Sequence, residues 1–250
     1  MTALLKASAA LHAAGLATVA LAPSSWPWVV AACVADHAAI YGAALWPRSR
    51  LLGDNLVRLG PDAAARGEVA VSFDDGPDPD VTPRVLDLLE ARGARASFFL
   101  VGARAVAHPE VVRAIVRRGH RVENHTWSHS HAFSVLPPGA VGREIDRAQR
   151  EIGALAGRAP RWFRAPAGLR PPWLDPQLRR RGISLASWTR RGFDAVDTNA
   201  SRVAARLTRG LRAGDVLVLH DGPGHRVVLD ALPRVLDAID RAGLRAVPLP

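Results

Sequence analysis

This chain is short of several residue types, and each shortage excludes something. Its 250 residues include one cysteine, Cys33. No disulfide partner for it exists within the chain, and no cysteine-based zinc site can be assembled. Lys6 is the only lysine, so arginine supplies nearly all of a formal charge of +10. The arginines are scattered, with no basic run of five or more and no basic strand studded with aromatics, so nucleic acid is not an expected partner. Scattered arginine also suits anionic lipid headgroups or a phosphate-bearing substrate. With 48% hydrophobic residues, disorder and fibrous structure are excluded.

Charge is scarce in the first fifty residues. Ala7 to Ala22 and Trp26 to Trp46 are apolar segments separated by the uncharged Pro23-Ser24-Ser25-Trp26-Pro27-Trp28. Each is near the roughly 17 to 25 residues that cross a bilayer, and tryptophans stand at the ends of the second, where aromatic belts lie. The expectation is a membrane hairpin. Asp36 and His37 weigh against the second span unless they face the partner helix, because an ionisable residue at mid-membrane costs about 2.5 to 3.5 kcal/mol on insertion scales. A signal peptide is one alternative, since Lys6, an apolar stretch and Ala20-Leu21-Ala22 imitate one, although Pro23 is a poor cleavage neighbour. A pair of buried soluble helices is another. Lys6 precedes the pair and Arg48, Arg50 and Arg58 follow it, which places both ends on the cytoplasmic face of a bacterial inner membrane. Signal cleavage would instead give a secreted or periplasmic protein. The expected divisions are a hairpin at 1–50, a linker at 51–67 and one domain at 68–250.

From Glu68 a unit recurs: an amphipathic segment, a basic residue, a glycine, then a short apolar run. Arg92-Gly93 leads to Ala96–Val101, Gly119 to His120–His125, Gly182 to Ile183–Trp188, Gly214 to Asp215–His220 and Gly243 to Leu244–Leu249. Glycine just past a helix end supplies a left-handed cap, and arginine in the last turn complements the helix dipole. With strands at Val69 and at Arg161–Arg164, about seven strands alternate with helices, which implies a parallel sheet or barrel.

Polar residues gather where these strands end. Val69-Ala70-Val71-Ser72-Phe73 empties into Asp74-Asp75-Gly76-Pro77-Asp78, a pair of carboxylates that could form a turn cluster or share a site. His125 with His129, Arg164, Trp188 with Asp194, and His220-Asp221 also stand at or beyond strand ends, where parallel α/β proteins build their sites. His125 and His129 are four apart and with Asp75 make a two-histidine, one-carboxylate set of the kind that leaves metal positions open for water and substrate. His120 and His131 lie off this spacing and are treated as bystanders.

In order and spacing, Ser72-Phe73-Asp74-Asp75-Gly76, His125-Thr126-Trp127-Ser128-His129, Arg164-Ala165-Pro166-Ala167-Gly168, Trp188 with Asp194, and Val218-Leu219-His220-Asp221 resemble the five motifs of NodB-type polysaccharide deacetylases, carbohydrate esterase family 4. The resemblance runs from about Glu68 to Leu249. It implies a distorted (β/α) barrel, one divalent metal, usually zinc with cobalt or nickel as alternatives, and hydrolysis of an N-acetyl group from an amino sugar in a polysaccharide or lipid-linked glycan. By the same resemblance Asp74 is the general base, and Asp75, His125 and His129 are the metal ligands. Arg164 pairs with Asp74, Asp194 braces His220 as general acid, the Ala167 N–H serves the oxyanion and Trp188 lines the sugar pocket.

Two positions depart from the pattern. Ala167 stands where the family has an aromatic, and Ala195 where a tryptophan usually follows the fourth-motif aspartate. Both changes reshape the pocket and leave the chemistry intact. An amidase or deformylase acting on another N-acyl substrate, and an inactive carbohydrate-binding barrel, are the alternative readings.

Overall fold

The structure is a computed structural model that describes residues 2–250. Two apolar helices open it, α1 (Ala3–Leu21) and α2 (Trp26–Leu45), joined by a tight 3₁₀ turn at Pro23–Ser25. Thr2 caps α1 by accepting from the Leu5 N–H. Both helices are long and apolar enough to cross a membrane. α1 buries no residue, and Leu16, Leu21 and Trp28 stand 76%, 88% and 80% exposed, so α1 is not a helix of a soluble core. Asp36 is turned to the partner helix: Ser8 donates to its Oδ2 at 2.6 Å, and His12 Nδ1 lies 3.9 Å from the same oxygen.

After α2 the chain runs against the domain rather than away from it. Leu52 is buried with Ile40, Ala43 and Ala44 of α2, Leu56 bridges to Ala186, and α3 (Pro61–Ala65) leads into the first strand. Thereafter helix and strand alternate: β1 (Glu68–Asp74), α4 (Thr82–Glu90), β2 (Ser97–Leu100), α5 (Gly102–Ala107), α6 (Pro109–Arg117), β3 (Arg121–Asn124), α7 (Pro138–Ala156), β4 (Trp162–Phe163), α8 (Leu174–Arg179), β5 (Ser184–Leu185), β6 (Arg190–Arg191), α9 (Ala200–Thr208), β7 (Val216–His220), α10 (Val228–Arg241) and β8 (Arg245–Val247).

All the strand pairings are parallel. Seven strands run in the order β5-β4-β3-β2-β1-β7-β6, and β8 adds to β1 off this path, pairing its first half while β2 pairs its second. This is the parallel architecture that the alternation implies and the distorted barrel that the family resemblance implies, with two differences. β6 is a short strand the apolar pattern does not announce, since Arg190-Arg191 carries no hydrophobic side chain. The sheet path ends at β5 and β6 and leaves the barrel open there. The five glycines of the recurring unit, at 93, 119, 182, 214 and 243, all have positive φ; four stand just past helix ends, whereas Gly214 closes a turn after α9 has already ended at Thr208.

Strand alternation decides which face each side chain takes. Val69, Val71 and Phe73 of β1 join Phe98, Leu100, Val122, Leu217 and Leu219 in the cluster beneath the surrounding helices. Ala70 falls on the other face with Phe99, Val216 and Val218 in the barrel interior. By the same alternation Ser72 and Asp74 of β1 and His220 of β7 point inward. The chemistry-bearing ends of these strands therefore converge on the interior at one rim.

Candidate active site

Arg164, which follows β4, is fully buried, and each of its nitrogens is occupied. Nη1 donates to Asp74 Oδ1 at 2.6 Å and to Ser72 Oγ at 2.9 Å, Nη2 to the Ser187 carbonyl at 3.0 Å, and Nε to the Ala186 carbonyl at 3.3 Å. Its guanidinium lies 3.9 Å over the Phe99 ring. Burial pulls the Arg164 pKa down, and the Asp74 charge opposes this. A buried cation so enclosed fixes the one carboxylate it touches, because separating them would strand a charge in the interior.

Asp75 begins the loop after β1 in a left-handed conformation, φ 72°, which turns its side chain away from Asp74's direction. Its Oδ1 stands 3.3 Å from His125 Nε2 and 2.9 Å from His129 Nε2. His125 Nδ1 donates to the Arg164 carbonyl at 2.8 Å. A carbonyl can only accept, so Nδ1 carries a proton, and in that neutral tautomer the Nε2 lone pair faces a carboxylate oxygen. Asp75 Oδ1 is buried without a hydrogen-bond partner. Opposed lone pairs at this spacing call for a cation, and a divalent ion fits them: the three ligand atoms lie within 4.8 Å of one another.

Glu144 of α7 secures the loop that carries both histidines, accepting from the Trp127 and Ser128 N–H groups at 3.1 and 2.8 Å and from Ser128 Oγ at 3.0 Å. On the other side of the rim His220 is gripped by Asp194 through both oxygens, its backbone N–H at 2.7 Å from Oδ2 and its Nδ1 at 2.9 Å from Oδ1. Burial lowers the His220 pKa, yet the Asp194 hydrogen bond and the charges of Asp194, Asp74 and Asp75 carry it above the ordinary histidine value. Ala167 sits in the turn Pro166–Gly168 at φ 54°, and its backbone N–H is given to no acceptor among the described residues. Trp188 is buried against the neighbouring Gly168, where a Cβ would lie 2.4 Å from its ring.

The structure thus brings Asp74, Asp75, His125, His129, Arg164, Ala167, Trp188, Asp194 and His220 to one rim. Among the described residues the non-glycine positions with positive φ are Asp75, Thr126, His129, Ala167 and Phe193. Each lies in or beside a motif loop, and backbone strain of this kind gathers where function over-determines geometry.

Besides Glu144, three contributors escaped the reading of the sequence: Arg104, His225 and Gly222. Arg104 of α5 donates to the Asp75 carbonyl. His225 Nδ1 is 3.9 Å from Asp75 Oδ2, and with His129 and His131 it lines a cavity of about 760 Å³. Gly222 lets the last motif loop close on the first, since a Cβ there would lie 2.6 Å from Asp75 Cβ. Asp221, fully buried, accepts from Thr82 Oγ1 at 2.7 Å, and burial pushes its carboxyl up to about 7. Arg104, Gly222 and His225 share no periodic spacing with the ligands.

The polysaccharide deacetylase family model matches residues 62–185. A chitooligosaccharide deacetylase of Bradyrhizobium is 33% identical over 205 residues, covering 76% of this chain and 92% of its relative. The chain belongs to the NodB-type polysaccharide deacetylases, carbohydrate esterase family 4. A peptidoglycan-N-acetylglucosamine deacetylase of Bacillus cereus is 31% identical over 190 residues, covering 74% of this chain and 68% of the relative. Among solved structures, a peptidoglycan N-acetylglucosamine deacetylase superposes with a TM-score of 0.72 at 30% identity, over 78% of this chain and 91% of that one. A family 4 carbohydrate esterase from Streptomyces lividans, solved with acetate, gives 0.66 at 31% identity over 72% and 91%. The matched residues 62–185 lie after the apolar helices, and Asp75, His125 and His129 are a group that could hold the metal on which the family depends.

Proposed function

We propose that this family member is a metal-dependent N-deacetylase that removes the acetyl group from an amino sugar in a glycan, working from a hydrophobic hairpin at 1–50 with residues 51–67 as the tether and 68–250 as the catalytic domain. The observation that carries this reading is the pairing of two differently held carboxylates: Asp74 locked to Arg164 at 2.6 Å, and Asp75 turned onto two histidines.

Asp75, His125 and His129 would hold the divalent ion, zinc first, with cobalt or nickel as alternatives. Bound there, the ion supplies Lewis acidity to the substrate's amide carbonyl and lowers the pKa of water. Asp74, aimed by Arg164, takes the proton from the attacking water. The free Ala167 N–H donates to the oxyanion as the carbonyl carbon becomes tetrahedral. His220 then gives its proton to the leaving amine; Asp194 holds its Nδ1–H, so the Nε2–H is the one available to transfer. Trp188 walls the sugar pocket.

The relatives named as acting on peptidoglycan N-acetylglucosamine or chitooligosaccharides support an N-acetylglucosamine-type substrate. Purified protein loaded with zinc or cobalt is expected to release acetate from such oligomers, and Asp75→Ala or His129→Ala to abolish release. Acetate release that survives both substitutions would sink the ligand assignment. Placement of the catalytic domain on the cytoplasmic face rests on Lys6, Arg48, Arg50 and Arg58. It fails if a phosphatase fused to the C-terminus is active in the periplasm.

A further inference from the structure

The end of α2 is docked beside the reaction centre. Arg170 donates from its N–H to the Ala44 carbonyl at 3.3 Å and from Nη2 to the Ser49 carbonyl at 2.6 Å, and Ser187 Oγ donates to the Pro47 carbonyl at 2.6 Å. Pro47 packs so closely on the Ala167-Gly168 turn that a Cβ at Gly168 would lie 2.8 Å from it. The hairpin therefore leaves any membrane at the wall of the pocket itself, with Trp46 at the exit.

Beside this exit lies a cavity of about 520 Å³, walled by Trp46 and Arg48 from the hairpin and, along the open edge of the barrel, by Trp188, Arg191 and Phe193 and by Arg212 before the start of β7. Its one acid, Asp215, is already claimed by Arg58 at 2.5 Å and by Arg190. Arg48, Arg191 and Arg212 have no carboxylate partner among the described residues. Arg191 Nε is buried with no acceptor at all, and its guanidinium stands 5.3 and 5.1 Å from the Trp188 and Phe193 rings. Arg48 and Arg212 are exposed, and Arg48 Nη1 also donates to the Thr189 carbonyl at 3.4 Å; guanidiniums lining one cavity without a free carboxylate among them favour an anion there, and guanidinium is the donor best shaped for a phosphate. Arg191 lies three residues before Asp194, the partner of His220, and its charge reaches Arg164.

Resting on the deacetylase reading, we propose that this cavity binds the phosphate of a lipid-linked amino sugar, so that the substrate is a sugar carried on an isoprenoid-type membrane lipid through a phosphate ester. The sugar reaches the rim past Trp188, the phosphate meets Arg48, Arg191 and Arg212, and the lipid chain runs back along the hairpin into the bilayer. Joining all three in one molecule makes the second contact nearly intramolecular once the first has formed.

The test uses the full chain in lipid nanodiscs loaded with zinc. Acetate release is measured from N-acetylglucosaminyl-phosphoryl-prenol and from neutral N-acetylglucosamine oligomers, for wild type and for Arg48→Gln/Arg212→Gln. The expected result is a preference of about tenfold or more in kcat/KM for the phosphate-linked sugar, carried by KM and lost in the double variant, with the rate on neutral oligomers unchanged. Equal kcat/KM for the two substrates in wild type, or a preference that persists in the double variant, overturns the proposal. A separate binding arm uses prenyl phosphate, inorganic phosphate and phosphatidylglycerol vesicles as probes of Asp74→Asn protein. Prenyl phosphate binding that weakens about tenfold in Arg191→Gln supports the site even if no acetate is released, in which case only the deacetylase reading fails. Phosphatidylglycerol binding as tightly as prenyl phosphate overturns the substrate assignment by making the cavity a headgroup site.

Discussion

Asp74 and His220 are register partners across the β1–β7 ladder. In a parallel pair the partner residues are neighbours about 4.8 Å apart along the hydrogen-bonding direction and share a face, so the proposed base and the proposed acid enter the same interior from adjoining strands. Each is held by a partner from elsewhere in the barrel, Arg164 for Asp74 and Asp194 for His220. Asp75, one residue on, has left the strand and belongs to the histidines. The two adjacent acids should therefore fail differently. Asp75→Ala is expected to lose bound metal, whereas Asp74→Asn should keep about one equivalent of metal and lose roughly 10²- to 10⁴-fold in kcat, the range of general acid–base catalysis. Metal analysis of both variants beside acetate-release rates decides it, and equal loss of metal in the two would refute the division of labour.

Asp194 should set the alkaline limb of the rate profile. Burial acts to lower His220, and the Asp194 hydrogen bond and charge carry it above its ordinary value, so the protonated acid persists to higher pH than a free imidazole would allow. In Asp194→Asn that support is gone. The alkaline limb of kcat/KM is expected to move to lower pH and the plateau to fall. A profile that drops in height without moving would show that Asp194 only positions the ring.

Much of this was legible in the chain, for a physical reason. A buried parallel strand must be an apolar run, a helix end must find a left-handed residue, and both leave marks that Gly93, Gly119, Gly182 and Gly243 make readable at intervals. The site residues stand at strand ends, so locating the strands located most of the site. What escaped is held by geometry without periodicity. Arg190-Arg191 forms β6 with no apolar side chain because its register with Leu217 and Val218 is set by the backbone. Arg104, Glu144 and His225 reach the site from helices and a loop, across spans that no short spacing records. α7, the long helix that supplies Glu144, lacked the glycine-then-strand unit that marked the others, its Gly157 being followed by Arg158-Ala159-Pro160 before β4.

His120 offers a test of stability remote from catalysis. It is buried, its Nδ1 accepts the Ala96 N–H at 3.2 Å, and burial, with the charges of Arg95 and Arg118, pushes its pKa down to about 4. Above the unfolded value of about 6.5 both states are neutral and the group contributes no pH dependence. As pH falls below that, the unfolded chain takes a proton the folded one refuses, so stability drops until about pH 4, by roughly 3 kcal/mol in all. His120→Phe removes the titration. Its melting temperature is expected to lie below wild type at pH 8 and to close that gap between pH 6.5 and 4.5. Parallel melting curves across that window would show that His120 charges in the folded protein after all.

Ala167 combines the departure from the family's aromatic with a left-handed backbone, φ 54°. For a residue with a Cβ that conformation costs about 1 to 2 kcal/mol, and glycine adopts it freely. Ala167→Gly should relieve this, while enlarging the unfolded ensemble, so the net gain in stability is expected to be at most about 1 kcal/mol. The catalytic consequence is the sharper one. If the turn is held in place by its surroundings, by Pro47 and Trp188 packed on Gly168, the N–H keeps its aim and kcat stays within a few-fold of wild type. If Ala167 itself fixes the turn, the glycine variant gains stability and loses rate, because a preorganised donor acts only while it stays aimed at the developing oxyanion. The packing favours the first outcome: Pro47, Trp188 and Gly168 form one contact, so shortening or unseating the end of α2 should slow acetate release more than Ala167→Gly does.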